Sequence, residues 1–334
     1  MKNVLKTIIT FGALIVIIFS CCLGSCVVIL LTTTKISQDT YNKSGFDEKI
    51  IKHSSTNSSS LLVDKIALIN ISGEIFYSVP GGTSNVTGAT SDNIINQLEQ
   101  AASDPKVKDI ILRLNTPGGE VDAGVPICNE IKKVKSSKNV YAFIDSEAAS
   151  LGYFIANCTN YIYSRPTAIT GSIGVIIQAV DFYGVLEKFG GKVIYLTNTD
   201  GKNKGGQQIF DQNSDSFKIY QKILDEDFAL FLNVVTEGRK DKLTLEQVKL
   251  LADGRIYSGN QAASNKLVDE LGEFDEVIQK VAKKDNIDLL NTNVIEYRIL
   301  STPFSNLFGG FSALNLPTQS SKVKVLMELN NSNN

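Results

Sequence analysis

A serine flanked by small residues is the strongest candidate for chemistry in this sequence. Ser150 lies in the stretch D-S-E-A-A-S-L-G-Y-F (145–154), where a predicted strand ends and a predicted helix begins. Its small neighbours would let a substrate approach the hydroxyl, and a helix N-terminus stabilises developing negative charge. The same position also suits a helix-capping serine, for which Ser146 is an even better candidate. The pattern alone therefore leaves two roles open for Ser150, nucleophile and cap.

A glycine turn follows another predicted strand, in L-N-T-P-G-G-E (114–120). Pro117 fixes one backbone angle, and Gly118 and Gly119 permit a turn whose N–H groups point into a cleft. Such amides can hold an oxyanion or an extended peptide. A P-G-G turn between a strand and a helix also has an ordinary structural role, so this motif carries weight only together with others.

The sequence restricts which group could activate a serine. It has one histidine, His53, in a polar run, which excludes Ser-His-Asp and Cys-His catalysis and most zinc sites. A lysine, a carboxylate or the N-terminus remains. The loop T-D-G-K-N-K-G-G (199–206) offers Lys202 and Lys204. Because the ordinary pKa of a lysine is about 10.4, it acts as a base only in a desolvated pocket; elsewhere it is a solvated surface charge.

The composition limits the class of protein. The chain has 334 residues, of which 43% are apolar and 20% are charged, so it can bury a core and is not disordered throughout. The formal net charge of −2 argues against the clustered basic surface that binds a phosphate backbone. Nucleic acid is therefore not an expected partner.

The N-terminal region carries a long apolar segment, residues 7–32, without a charged residue. It is long enough to cross a bilayer as a helix, and the lysines before it predict that residues 1–6 stay cytoplasmic and the rest lies outside. A cleaved signal is the alternative, because L-G-S-C at Leu23–Cys26 resembles a lipoprotein cleavage site. We favour an uncleaved single-pass anchor, since apolar residues continue through Val27–Leu31.

The cysteines do not form a disulfide framework. Three of the five lie inside the apolar segment, and only Cys128 and Cys158 remain in the body of the chain. These two could pair in an oxidising compartment. Two cysteines in a domain of this size are more often small buried apolar residues, and we adopt that interpretation.

The rest of the chain alternates between apolar runs and helical patterns. A flexible linker is predicted over 33–60, a globular domain over 61–290 and a tail over 291–334. The predicted strands cover 65–71, 108–114, 139–144, 161–164, 174–179 and 192–197, and the predicted helices cover 91–103, 125–135, 149–157 and 214–238. Pro126 suits a first turn, hence the start near Val125. T-L-E-Q (244–247) predicts a capping box. The alternation indicates an α/β fold with a mainly parallel sheet and crossover helices.

Several motifs together resemble the signal peptide peptidase A type of membrane-anchored serine endopeptidase, which uses a Ser-Lys dyad. They occur in the family's order over most of residues 65–285. The motifs are N-T-P-G-G (115–119), A-A-S-L-G-Y-F (148–154), T-G-S-I-G-V (170–175), G-K-N-K (201–204), A-D-G-R-I-Y-S-G-N-Q-A (252–262) and L-V-D-E-L-G (267–272).

The resemblance implies roles for individual residues. Ser150 matches the nucleophile and Lys204 the general base, while Ser172 matches a serine that orients the lysine. Lys202 is the fallback base, because the loop is longer than usual and the alignment could slip by two residues.

The same resemblance implies an oxyanion hole formed by Gly118 or Gly119 with the N–H of Leu151. The chain departs from the family pattern at two places. Leu151 replaces the usual glycine after the nucleophile and fills part of the adjoining pocket. The stretch G-G-Q-Q-I-F (205–210) lacks the common proline or acidic residue.

The implied fold is Clp-protease or crotonase-like, with repeated ββα units, a mainly parallel sheet and a transmembrane helix before it. The implied function is cleavage of remnant signal peptides or other membrane-derived or unfolded peptides outside the cytoplasmic membrane, by a homo-oligomeric ring, without metal or cofactor. A catalytically silent, membrane-tethered peptide-binding scaffold is the alternative. A crotonase-like acyl-thioester enzyme would share the glycine turn but has no use for the dyad or the anchor.

Overall fold

The computed structural model describes residues 46–52, 63–77, 88–201, 203–205 and 209–299. The predicted membrane segment 7–32, most of the predicted linker and Lys202 lie outside the described residues. Within the described ranges, no helix combines the length and the apolar character needed to cross a bilayer.

The molecule has an α/β core. Its strands are β1 (Phe46–Lys52), β2 (Asp64–Ser72), β3 (Glu74–Phe76), β4 (Gly88–Thr90), β5 (Val107–Thr116), β6 (Asn139–Ala149), β7 (Tyr161–Ser164), β8 (Ile169–Gly171), β9 (Ile256–Ser258), β10 (Glu270–Leu271) and β11 (Thr292–Ile299). The strands β3 and β4 form a separate two-stranded sheet, and the others belong to the main sheet. The helices are α1 (Ser91–Ser103), α2 (Val121–Val134), α3 (Leu151–Ala156), α4 (Tyr183–Lys188), α5 (Asp215–Gly238), α6 (Leu245–Leu251), α7 (Gly259–Ser264) and α8 (Phe274–Lys284).

The strand order in the main sheet is β1-β11-β2-β5-β6-β7-β10, and the pairs from β11 to β10 are parallel. The central strands β2, β5 and β6 are nearly continuous runs of buried apolar residues, as expected for a sheet covered on both faces. Helices α1, α2 and α3 contribute to the core on one face, and α8 packs on the other. The predicted mainly parallel α/β sheet is confirmed.

The strands β5 and β6 extend past the main sheet into a second, smaller layer. Thr116 at the end of β5 pairs with Ala148, and the last residues of β6 pair with β8. β3 pairs with β4, and Ile75 forms a parallel bridge with Gly119. This small layer holds the ends of β5 and β6 in place where the helices α2 and α3 begin.

Two predicted strands, 174–179 and 192–197, are wrong. Residues 173–182 and 191–198 form no strand, and α4 is the regular element between them. Ile176 is 84% exposed and Leu196 is 94% exposed, so these apolar runs have no layer of the described chain to pack against. The composition of an apolar run alone does not distinguish a buried strand from an exposed segment.

The predicted linker and tail each contain a strand of the sheet. β1 lies within the predicted linker, and β11 lies in the predicted tail, where it pairs in parallel with β2. Val294 and Ile295 are buried, and the rings of Phe46 and Tyr297 lie 6.4 Å apart. The burial of these side chains extends the domain beyond its predicted limits at both ends.

The helix after the glycine turn begins earlier than predicted. α2 starts at Val121, so Pro126 lies inside the helix and not in its first turn. The proline removes one backbone hydrogen bond. Burial of Ala123, Ile127 and Ile131 along the same face outweighs that loss. By contrast, the capping box predicted at Thr244 is present in the structure at the start of α6.

The two cysteines of the domain body are paired, which corrects their interpretation as unpaired apolar residues. Cys128 of α2 forms a disulfide with Cys158, and their Cα atoms lie 5.5 Å apart. Sequence spacing could not show this contact, since 30 residues separate the two positions. The bond links α2 to the chain just after α3.

Candidate active site

Ser150 lies at the junction between β6 and α3, in a strained backbone conformation. Its φ is 50° and its ψ is −119°, in a region that residues with a side chain rarely adopt. Its N–H donates to the Gly171 carbonyl at 2.9 Å, and its carbonyl accepts from the Phe154 N–H at 3.0 Å. The side chain makes no capping hydrogen bond to the helix. The backbone of Ser150 is therefore fixed while its hydroxyl is not used as a cap, and Ser146 lies within β6.

Ser172 occupies the equivalent position on the neighbouring strand. Ala149 pairs with Gly171 in parallel register, so Ser150 and Ser172 are the next residues along the two chains. Ser172 also has a positive φ, of 49°, and its N–H donates to the Arg255 carbonyl at 2.8 Å. The structure thus brings these two predicted site residues to adjacent strand ends.

The glycine turn after β5 packs directly against Ser150. Gly118 has a φ of +115°, and a Cβ on it would lie 2.9 Å from the Ser150 Cβ and 3.0 Å from the Leu151 nitrogen. A Cβ on Gly119 would lie 2.0 Å from the Ile75 carbonyl oxygen. Both positions need glycine, the first for its conformation and the second for the close approach of β3.

The amides of Gly118 and Gly119 differ in their hydrogen bonding. The Gly118 N–H donates to the Thr116 Oγ1 at 3.1 Å. Across the bridge, the Ile75 N–H donates to the Gly118 carbonyl and the Glu120 N–H to the Ile75 carbonyl, each at 2.9 Å. Because successive peptide groups of an extended chain alternate in direction, the Gly119 N–H points away from β3, toward the side where β6 and Ser150 lie.

Leu151 supplies a second amide beside the serine. It is the first residue of α3, and the first N–H groups of a helix have no partner within the helix. All six residues of α3 are buried, so this end of the helix is held firmly. The Gly119 and Leu151 amides are therefore the pair whose placement suits an oxyanion next to the Ser150 hydroxyl.

Lys204 lies in a different environment. It is exposed in a turn, where its N–H donates to the Gly201 carbonyl at 2.9 Å. Among the described residues, it is not one of those that line the pocket at Ser150. The structure thus groups Ser150, Ser172 and the glycine turn.

A small pocket, here called the Ser150 pocket, adjoins the serine. Its volume is about 20 Å³, and its lining residues are Gly119, Val121, Ser150, Leu151, Phe154, Gly174, Val175, Asp227 and Phe231. The rings of Phe154 and Phe231 meet edge to face with their centres 5.4 Å apart. The sequence predicts the helix 214–238, but it does not show that Asp227 and Phe231 on this helix line a pocket beside Ser150.

The site contains no obvious place for a metal. Among the described residues, no group of three or more histidine, cysteine, aspartate or glutamate side chains has a geometry that could hold an ion. The chemistry that this arrangement offers is that of a serine hydroxyl with two backbone amides next to it.

Two family models match the chain. Peptidase family S49 matches residues 132–288, and the Clp protease family matches residues 75–181. A protein of Enterococcus faecium named as a signal peptide peptidase, SppA, is 31% identical over 84% of this chain and 78% of its own length. A protein of Methanocaldococcus jannaschii named as a protease is 30% identical over 70% of this chain and 74% of its own length. Protease 4 of Haemophilus influenzae is 33% identical over 67% of this chain and 35% of its own length.

Proposed function

Because the chain belongs to peptidase family S49 and is a serine protease with a Clp protease-like α/β fold, we propose that Ser150 and Lys204 form its catalytic dyad. One observation carries the assignment of the nucleophile. Ser150 has a strained, fixed backbone and a hydroxyl that caps nothing, with the amide of Leu151 and the glycine turn beside it. A serine that only ended a helix would need neither the strain nor the glycines.

The proposed reaction is acyl transfer. The Lys204 amine takes the proton of the Ser150 hydroxyl, and the oxygen attacks the carbonyl carbon of the peptide bond. The oxyanion accepts hydrogen bonds from the Gly119 and Leu151 amides. The leaving amine departs with a proton from the lysine, and water then hydrolyses the acyl-enzyme. Ser172, which adjoins Ser150, orients the lysine amine.

An exposed lysine is a poor base, so the proposal includes assembly of several chains into a ring. Desolvation lowers the pKa of an amine, and a neighbouring chain that covers the Lys204 turn would provide it. Seven side chains between residues 176 and 196 are large, apolar and exposed by more than half: Ile176, Val180, Phe182, Val185, Phe189, Ile194 and Leu196. Ile219 and Ile223 on α5 are also exposed. Such a surface is typical of an interface.

The proposed location is the outer side of the cytoplasmic membrane, with residues 7–32 as a single-pass anchor. The Cys128–Cys158 disulfide supports this location, because disulfides persist in oxidising compartments. The proposed substrates are remnant signal peptides or other membrane-derived or unfolded peptides. The name of the Enterococcus faecium relative supports this class.

A fluorophosphonate probe tests the proposed function, because it labels activated serines. We expect the full chain to be labelled and to cleave synthetic signal peptides, and we expect Ser150→Ala to lose both properties. The scaffold alternative predicts peptide binding without labelling. If the chain binds signal peptides but is neither labelled nor active, the result contradicts the proposed peptidase activity and supports the scaffold alternative.

A further inference from the structure

The Ser150 pocket lies where a substrate side chain must go, if the proposed function holds. In acyl transfer the reacting carbonyl carbon sits between the serine oxygen and the oxyanion amides. The side chain of the residue that supplies this carbonyl is carried by the Cα atom bonded to the carbonyl carbon. Ser150, Gly119 and Leu151 all line the pocket. It is therefore the pocket for the residue before the cleaved bond.

The side chain of Leu151 takes up the space on one wall of this pocket. Leu151 is only 5% exposed, and it lies against α2 at Gly124. A Cβ on Gly124 would lie 2.3 Å from the Leu151 Cδ1 and 3.2 Å from the Phe154 Cδ1. The absence of a side chain at Gly124 is thus what allows Leu151 to fit in this position.

The aromatic part of the lining cannot give way easily. It is formed by the edge-to-face pair of Phe154 and Phe231, which joins α3 to α5. Both aromatic residues are buried in the main core. The space left between the walls is about 20 Å³, which is close to the minimum that holds one water molecule. Asp227 is the one charged residue in the lining, so an acidic side chain would also meet a like charge.

From this geometry we infer that the enzyme selects substrates with a small, uncharged residue, such as alanine, glycine or serine, immediately before the cleaved bond. Leu151 is the residue that sets this limit. A leucine or phenylalanine at that substrate position would need the packed walls to move, and overpacking a close-packed site is unfavourable.

The test compares peptides that differ only at that position, with alanine, leucine or phenylalanine. For the full chain we expect kcat/KM for alanine to exceed that for leucine by about 10-fold or more, since a misfitting methylene in an apolar pocket changes rates by roughly 10–200-fold. Leu151→Ala should shift the ratio toward leucine by a similar factor. Gly124→Ala pushes the Leu151 side chain into the pocket and should raise selectivity for glycine over alanine.

Leu232→Ala is the matched control. Leu232 is 8% exposed and follows Phe231 on α5, but it does not line the pocket, so its variant should lower stability and leave the alanine-to-leucine ratio unchanged. If Leu151→Ala does not fold, Gly124→Ala still tests the same inference through the change in selectivity between glycine and alanine. Cleavage that depends on Ser150 but prefers leucine or phenylalanine would overturn this inference alone. Absence of both cleavage and fluorophosphonate labelling would overturn it together with the proposed function.

Discussion

The two parts of the candidate site are built in opposite ways. The nucleophile part, meaning the turn at Gly118–Gly119 and the junction at Ser150, lies between packed layers and is fixed by backbone hydrogen bonds. The base part, residues 176–204, has exposed apolar side chains and one short helix, α4. A single chain forms the geometry of the nucleophile part. The base part carries Lys204, the proposed base, in an exposed turn.

The proposed ring would account for this difference. Strands and helices of the main sheet determine the placement of the nucleophile part, so a single chain suffices for it. In the proposed ring, another copy of the chain covers the exposed apolar side chains of the base part and desolvates Lys204. Four changes test this comparison, from the largest expected effect to the smallest.

Loss of either member of the proposed dyad should have the largest effect. Ser150→Ala should abolish peptide cleavage, and Lys204→Ala should lower kcat by about 10²–10⁴, which is typical for the loss of a positioned base. Lys202→Ala should be mild. Circular dichroism checks that each variant is folded. If Lys202→Ala inactivates a folded enzyme while Lys204→Ala does not, the base is the lysine two residues earlier.

A methyl group should be tolerated differently in the two parts. Gly119→Ala places a Cβ 2.0 Å from the Ile75 carbonyl oxygen, so the turn must shift and the oxyanion loses a donor. We expect kcat to fall by about 10²–10³. Gly184→Ala in α4 is the matched control, because a Cβ there meets nothing within 4 Å. Equal losses in the two variants would show that the nucleophile part is no more tightly built than the base part.

The disulfide should stabilise the nucleophile part, since it joins α2 and the end of α3. Replacing both Cys128 and Cys158 with alanine should lower the free energy of unfolding by about 3–4 kcal/mol, given the length of the loop that the bond closes. Urea unfolding with and without a reducing agent measures this. The reducing agent should destabilise the wild type and leave the double variant unchanged. Identical curves for the wild type in both conditions would mean that the bond contributes nothing.

The smallest expected effect is on the pH dependence of stability, and it comes from replacing a buried acid, Asp109. This residue lies away from Ser150, on the face covered by α8. Burial and, next, the hydrogen bond and negative charge of Asp285 raise the pKa of Asp109 to about 8, and the Tyr141 hydroxyl donates to the same Asp285. Because this pKa exceeds that of an aspartate in the unfolded chain, the contribution of Asp109 to stability is fully present at low pH and is lost as the pH rises through about 8.

The free energy of unfolding should therefore fall by about 1 kcal/mol per pH unit as the pH rises from 5 to 8. Asp109→Asn should weaken this pH dependence of the free energy of unfolding. The control Asp275→Asn, at an exposed position of α8, should leave the pH dependence unchanged. The pH dependence of fluorophosphonate labelling should be the same in wild type and Asp109→Asn. A labelling profile that changes with Asp109→Asn would show that the two faces are coupled.

The strand ends and turns around the candidate nucleophile could be predicted because their signals are local. A strand followed by small residues, and a strand followed by two glycines, place Ser150 and the Gly118–Gly119 turn at strand ends. These features depend on strand direction and on residues that adjoin each other in the chain. The expectation that Leu151 fills part of the adjoining pocket comes instead from the resemblance to the family, which usually has glycine at this position.

Features that depend on distant contacts could not be predicted. The apolar run 192–197 has the composition of a buried strand, yet nothing in the described chain buries it. Cys158 meets Cys128 only because α2 and α3 pack side by side. Asp227 enters the Ser150 pocket from a helix more than seventy residues later in the sequence. Such contacts are determined by the packing of whole elements, which local patterns do not contain.

The most direct test of this account is the rate at which fluorophosphonate labels Ser150 as the full chain, in detergent, is diluted until its assembly dissociates. Sedimentation measures the assembly, and circular dichroism measures the fold. We predict that labelling slows as the assembly dissociates while the circular dichroism spectrum stays unchanged, because only the base part loses its surroundings. Folded single chains that are labelled as fast as the assembly would contradict the claim that another copy completes the site.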